Sequence, residues 1–454
     1  MANLWVISGV VVAGVLALVG LYRPYFGMLV FLAIHFIQPG ELIPLISHLR
    51  IELVYGCLLL GVILIRHLLR PKASRERDRI VFGALAMLAV AGLSVPFAIW
   101  RGGALDSTIE LAKLIAVLYL IRTLIESEKD LRGILWLMMI LLGWYSISSL
   151  IAYRNGGFYY LRYGNMLAVD RAMGINSLVG APNELAGMVL ALLPFLVALI
   201  RTSRRIWSRI TLLVLATCAL AALVLTGSRT AVLSLLALAV YYVLQFRHKL
   251  LTLAGCTLLM AIIWVSMPSA YKQRYLTVKS YAEGGQLDAS NEFRLEVWAA
   301  GWKMFLDHPV IGVGAGQFST AFALLYSKEH HQWMNPHDLL LQVICELGVI
   351  GLIAFTYFVV QVRRAINIPL HIRNSRFKFH YEIAVACDVM FLGVLLLSIT
   401  GHTMYRPFWY LLGGLAAANL SLVRAAQQKT VAPIREAAGR APESWVGEEI
   451  EVLG

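Results

Sequence analysis

The chain has 454 residues, 59% of them hydrophobic and 14% charged, with a mean hydropathy of +0.73. Soluble proteins carry roughly 25% charged residues, so a soluble fold is excluded, and continuous apolar runs of roughly 20 residues favour spanning helices over the alternating strands of a barrel. The net charge of +13 sits in short loops between those runs, where it orients a membrane protein rather than binding nucleic acid.

Apolar helices are predicted over 3–22, 26–46, 51–69, 80–100, 108–125, 133–152, 183–201, 208–226, 229–246, 249–267, 338–362, 382–402 and 407–424. This is an all-α polytopic membrane protein of about 12 transmembrane helices. The first run lacks a basic leader and a small-residue cleavage site, so it reads as a retained helix. The second is interrupted by Gln38-Pro39-Gly40-Glu41. The five cysteines fall inside apolar runs without CxxC or CxxH spacing, which argues against zinc and disulfides.

The basic loops 66–79, 201–209, 247–249 and 362–380 are expected in the cytoplasm. Segments 101–107, 153–182, 226–229, 268–337 and 401–406 then share the opposite, periplasmic side. The 70-residue segment 268–337 balances six Lys/Arg against six Asp/Glu and is too long for a simple connector. Residues 1–424 form one transmembrane domain that includes the outer loops 153–182 and 268–337. Residues 425–454 read as a disordered cytoplasmic tail.

Chemistry-bearing residues gather in the outer loops. Asn335-Pro336-His337 reads as a helix start, with Asn335 as N-cap, Pro336 at the first position and His337 in the first turn. There the helix dipole would favour a neutral imidazole, the form a general base needs. The plain alternative is a capping residue at the membrane interface. Arg229, in "LTGSRTAVLSLL", lies between two apolar runs on the same side, where a guanidinium needs water or a partner; snorkelling is its plain reading.

Arg294 lies in an amphipathic stretch from Asn291 to Leu306, with Phe293, Val297, Gly301, Met304 and Phe305 on one side and Trp298 and Trp302 suited to a headgroup layer. The following "DHPVIGVGAGQF" could offer backbone N–H groups to phosphate but has no P-loop spacing, and a turn is the simpler reading. Arg162, Arg171, Arg274 and Arg406 add outer-side cations suited to a diphosphate or glycan, and His402 is nearby. Within the spans Glu110 and Lys113 are spaced to pair, while Gln342, Glu346 and Asp388 read as structural polar groups. The chain has no Asp-x-Asp to hold a divalent ion on a diphosphate, so arginines would have to neutralise it.

Four stretches resemble the O-antigen ligase and polymerase superfamily of bacterial membrane glycosyltransferases: "GAPNELAGMVLALLPF", "TGSRTAVLSLL", "RLEVWAAGWKMFLDHPVIGVGAGQF" and "NPHDLLLQVICELGVIGLIAF". The family's histidine and glycine, ten residues between them, are matched by His337 and Gly348. Arg294 takes the place of its outer-loop arginine, with Trp298 departing from the pattern, and "LYRPYFGMLVFLAIHFIQPGEL" is also similar to ligases grouped with exosortase systems.

The resemblance implies a GT-C-like glycosyltransferase of the bacterial inner membrane with its active site facing the periplasm. It would transfer O-antigen polysaccharide from undecaprenyl pyrophosphate to the lipid A-core acceptor, without metal, cofactor or nucleotide. Arg229, Arg294 and His337 would be its essential residues. O-antigen polymerase, protein O-oligosaccharyltransferase, a lipid-linked glycan flippase and a membrane scaffold are the alternatives. A transporter would be expected to show paired broken helices or repeats, and neither is evident in the sequence.

Overall fold

The computed structural model describes residues 14–69, 78–157, 170–245, 249–266, 269, 271–272, 289–327, 333–372 and 374–438. Among these, no strand occurs and helices follow one another in chain order: α1 (Pro24–Ile37), α2 (Ile51–Leu69), α3 (Arg79–Ser94), α4 (Arg101–Leu124), α5 (Glu128–Arg154), α6 (Pro182–Thr202), α7 (Ile206–Leu225), α8 (Arg229–Gln245), α9 (Lys249–Ser266), α10 (Ala289–Asp307), α11 (Leu339–Leu370), α12 (Lys378–Ser398) and α13 (Pro407–Ala438). Seven stretches of the described residues are long and apolar enough to cross a membrane: α2, Arg79–Phe97, α5, α6, α7, α11 and Ser375–Ser398.

The centre of the bundle is made where α12 packs on α6, α11 on α3 and α13 on α4. Trp409, Tyr410, Tyr145, Phe195 and Phe358 are fully buried there, while α2 and α7 turn most of their apolar side chains outward. Exposed leucines on such helices suit lipid contact.

Two sequence expectations change. The interrupted second span ends as a helix at Ile37, where Gln38 adopts a left-handed φ of 50°. Its polar residues are used: Gln38 and Glu41 accept hydrogen bonds from Ser177 and Leu178 of the loop before α6. The chain read as a disordered tail beyond Arg424 is helical through Ala438, a continuation of α13; residues 439–454 lie outside the described residues.

The charged side chains Glu52, Glu110, Lys113 and Asp388 inside the helices are paired, as the low dielectric requires. Lys113 bridges Glu110 at 2.6 Å and Glu52 at 3.2 Å, and Glu52 also meets His35 Nδ1 at 2.8 Å, so the expected i, i+3 pair belongs to a four-residue cluster across α1, α2 and α4. Asp388 is held by Arg363 and Tyr241.

The main departure from regular helix is in α11. Gly348 has φ 63° and ψ −162°, breaking the helix into a short first half and a long second half. A break frees carbonyls before it and amides after it, each costing several kcal/mol if left unpaired in hydrocarbon. The glycine-rich segment after α10 fills the gap. Val313 and Gly314 amides donate to the Cys345 and Glu346 carbonyls (2.8 and 3.0 Å), while Val349 and Ile350 amides donate to Pro309 and Val310 carbonyls (2.9 and 3.4 Å).

Three more of the segment's amides are committed: Gly312 donates to the His308 carbonyl, Ala315 to Ser94 Oγ and Gly316 to Glu346 Oε2. The glycines permit this approach, since a Cβ on Gly312 would lie 2.4 Å from the Glu346 backbone. The glycine N–H groups that might have cradled phosphate are therefore bonded within the protein, that of Gly314 across the broken helix.

At Gly348 the backbone conformation is one only glycine adopts readily, and a Cβ would fall 2.2 Å from the Val310 carbonyl oxygen. Gly348→Ala is expected to lose about 1–3 kcal/mol from backbone strain alone. Gly61→Ala in α2, with nothing within 4 Å of its Cβ, should stay within about 1 kcal/mol of the parent. Thermal unfolding of the two detergent-solubilised variants compares them.

Candidate functional site

Four side chains from separate elements meet at the end of the bundle where the break lies. Arg229 is the first residue of α8, and Ser228 Oγ accepts the Ala231 amide at that helix start. Arg294 lies in the first third of α10, half-buried. His337 lies two residues before the start of α11. His402 comes from the turn between α12 and α13, its ring centroid 5.9 Å from that of His337 in an edge-to-face arrangement.

Helix α10 is fastened to the first half of α11 at several points. Val297, Gly301 and Met304 form its buried stripe, and Leu295, Trp298, Trp302 and Leu306 its exposed one. Trp298 Nε1 donates to the Pro336 carbonyl at 3.2 Å, and Cys345 Sγ donates to the Gly301 carbonyl at 3.1 Å. Any Cβ on Gly301 would strike Leu341. The loop of His402 is tied in as well: the Met404 amide donates to Gln342 Oε1, and Thr400 Oγ1 donates to Thr230 Oγ1 beside Arg229.

The helix start differs from the sequence expectation. Asp338, not Asn335, is the N-cap of α11, accepting the Leu341 amide at 2.7 Å. The Asn335 side chain is taken by Ser319 Oγ at 3.0 Å. His337 therefore lies outside the helix, at φ 50°, a left-handed conformation uncommon for a residue with a side chain and concentrated at functional sites.

Its neutral form consequently has another origin than the helix dipole. Burial, then His402, then Arg294 lower the His337 pKa from an ordinary 6.5 to about 4. Burial also lowers that of His402. Arg294 is pulled down by burial first and by the Arg229 charge second, but a guanidinium stays charged at any physiological pH. The result is a neutral imidazole beside fixed cations, suited to taking a proton next to a bound anion.

The remaining candidates separate. Arg171 is 5% exposed, with Nε donating to the Thr226 carbonyl and Nη2 to Asn183 Oδ1. Arg406 pairs with Glu184 in the first turn of α6 and reaches the Leu178 carbonyl; burial lowers its pKa. Arg162 and Arg274 lie outside the described residues. Among the described residues no group of three or more His, Cys, Asp or Glu is placed to hold a metal ion.

Seven membrane-length apolar helices among the described residues make this a multi-pass helical membrane protein. The O-antigen ligase family model matches residues 214–356, so that part of the chain is similar to the O-antigen ligase family. Members of this family are glycosyltransferase-like enzymes acting on lipid-linked glycans. The matched stretch carries Arg229, Arg294, His337 and Gly348; Arg171, His402 and Arg406 fall outside it. The chain has no match among the curated proteins.

Since burial and neighbouring positive charge both disfavour imidazolium, protonation of His337 moves to lower pH. Solid-state NMR of the ¹⁵N-histidine-labelled chain in bilayers, assigned with His337→Asn, should show a neutral ring at about pH 5.5, where an ordinary histidine is mostly charged. Arg294→Gln removes one cause and should move the titration back towards 6.5.

Proposed function

We propose that this chain is an O-antigen ligase, an inverting glycosyltransferase of the inner membrane that moves O-antigen polysaccharide from undecaprenyl pyrophosphate to the lipid A-core at the periplasmic face. The convergence of Arg229, Arg294 and His337 from α8, α10 and the start of α11 carries this reading. The family match over the same residues supports it. Arg162, Arg274 and Arg406 are further candidate contacts for the donor.

In this mechanism the two guanidinium groups grip the diphosphate and stabilise the charge that develops as the C1–O bond breaks. His337 takes the proton of the acceptor hydroxyl, whose oxygen attacks the anomeric carbon from the face opposite the diphosphate. One displacement inverts the configuration. A base whose conjugate acid titrates near 4 is weak until the donor arrives. The diphosphate's negative charge beside Arg294 then offsets the guanidinium and raises the basicity of the imidazole, so proton transfer is coupled to donor occupancy. No step requires a divalent ion.

His337→Ala should cut the transfer rate by about 10²–10⁴ in a purified assay while donor binding persists. Arg229→Ala and Arg294→Ala should each weaken donor binding by about 10- to 100-fold, the worth of a charge-assisted contact. Transfer at the parent rate by the histidine variant removes the general-base role. In a strain lacking this chain, a ligase leaves bare core with polymer accumulating on the carrier. A core bearing a single repeat would instead identify a polymerase.

A further inference from the structure

We propose that Arg171 is a positioning residue that aims Arg229 by clamping the turn before it, and that it does not itself hold the donor. The proposal rests on the reading of Arg229 as a diphosphate ligand.

The turn Thr226-Gly227-Ser228 joins α7 to α8, and the last carbonyls of α7 have no partner within the helix. Those of Ala222, Leu223 and Val224 are met by amides of the turn itself, and the next two, Leu225 and Thr226, are met from outside. The Leu225 carbonyl accepts the Ala172 amide at 2.8 Å and the Tyr271 hydroxyl at 3.1 Å. The Thr226 carbonyl accepts Arg171 Nε at 2.6 Å. Inside the turn, Thr226 Oγ1 donates to the Leu223 carbonyl and accepts the Ser228 amide, and Ser228 Oγ accepts the Ala231 amide. Gly227 has φ 58°, and its missing Cβ leaves room for the Tyr271 ring, 3.0 Å away from where that atom would be.

Arg171 is the anchor of this arrangement from the loop before α6. Its guanidinium is buried, and Asn183 Oδ1 near the start of α6 accepts from Nη2 at 2.9 Å, so the planar group spans from α6 to the end of α7. A buried guanidinium is stable only with its N–H groups bonded. A lysine has one compact ammonium and cannot bridge both acceptors in the same way. Arg229 is three residues beyond the clamped carbonyl, at the first position of α8, so the direction in which its side chain leaves the helix is set by the turn that Arg171 holds.

The test is a double-mutant cycle on binding of farnesyl diphosphate to the full chain in detergent. Arg171→Gln should weaken binding about tenfold, Arg171→Lys should not restore it, and Asn183→Ala should weaken it in the same direction. In an Arg229→Ala background all three should be silent, within about twofold, because a residue acting through Arg229 has nothing left to aim. Losses that multiply with that of Arg229→Ala would show that Arg171 grips the anion directly and would overturn the proposal. Unchanged binding by Arg229→Ala alone would sink the reading of Arg229 as ligand, and this proposal with it. Melting temperatures accompany each variant; if Arg171→Gln does not fold, Asn183→Ala, which keeps the guanidinium, carries the cycle.

Discussion

The structure depends on how α11 is allowed to break. A helix interrupted at Gly348 would expose two carbonyls and two amides in a medium that offers them no partners. The segment from Pro309 to Gly314 supplies all four in a strand-like pairing. Because that segment is the direct continuation of α10, the repair has a geometric result. The helix bearing Arg294 and the half-helix that follows His337 are joined through their backbones, with Trp298 and Cys345 adding further ties. Two residues 43 positions apart in the chain are thereby held by hydrogen bonds that cannot be given up cheaply.

The electrostatics follow from the same packing. Closing α10 over the start of α11 removes His337 from water, and with Arg294 and His402 alongside it the ring sheds its proton. A helix dipole gives the same sign, but its influence ends within a turn and depends on the residue lying on the axis. Burial does not. A left-handed backbone at residue 337 takes the imidazole off the helix altogether, which leaves it open to approach by both a guanidinium and a second imidazole.

Much of this was legible in the sequence, for identifiable reasons. Apolar runs located the helices because lipid demands them, and the segments between them assigned to the outer side contain the four side chains that the structure brings together. The helix start was misread because Asn335-Pro336 carries a strong capping signal, whereas Asp338 carries an equally good one closer to the apolar run. Only the contact with Ser319 removes Asn335 from competition. The break at Gly348 was invisible to hydropathy, since glycine within an apolar run changes neither composition nor length. A glycine-rich segment elsewhere, with backbone groups to place, was the available hint. Arg171 looked like a phosphate ligand because a sequence cannot distinguish a guanidinium facing a cavity from one buried against a carbonyl. His402 could be noted but not placed, because its role depends on a contact across more than sixty residues.

The cluster around Lys113 bears on how genetic surveys of such a chain are to be interpreted. Its ammonium is what keeps Glu52 and Glu110 compatible with one another between α2 and α4. Replacing it takes the ammonium from the largely buried Glu52 and leaves two carboxylates to repel one another, which is expected to lower the amount of chain that assembles in the bilayer. A null phenotype at that codon, scored by the glycans a cell displays, would then look the same as the loss of a reacting group, although Lys113 belongs to none of the elements that carry Arg229, Arg294 or His337.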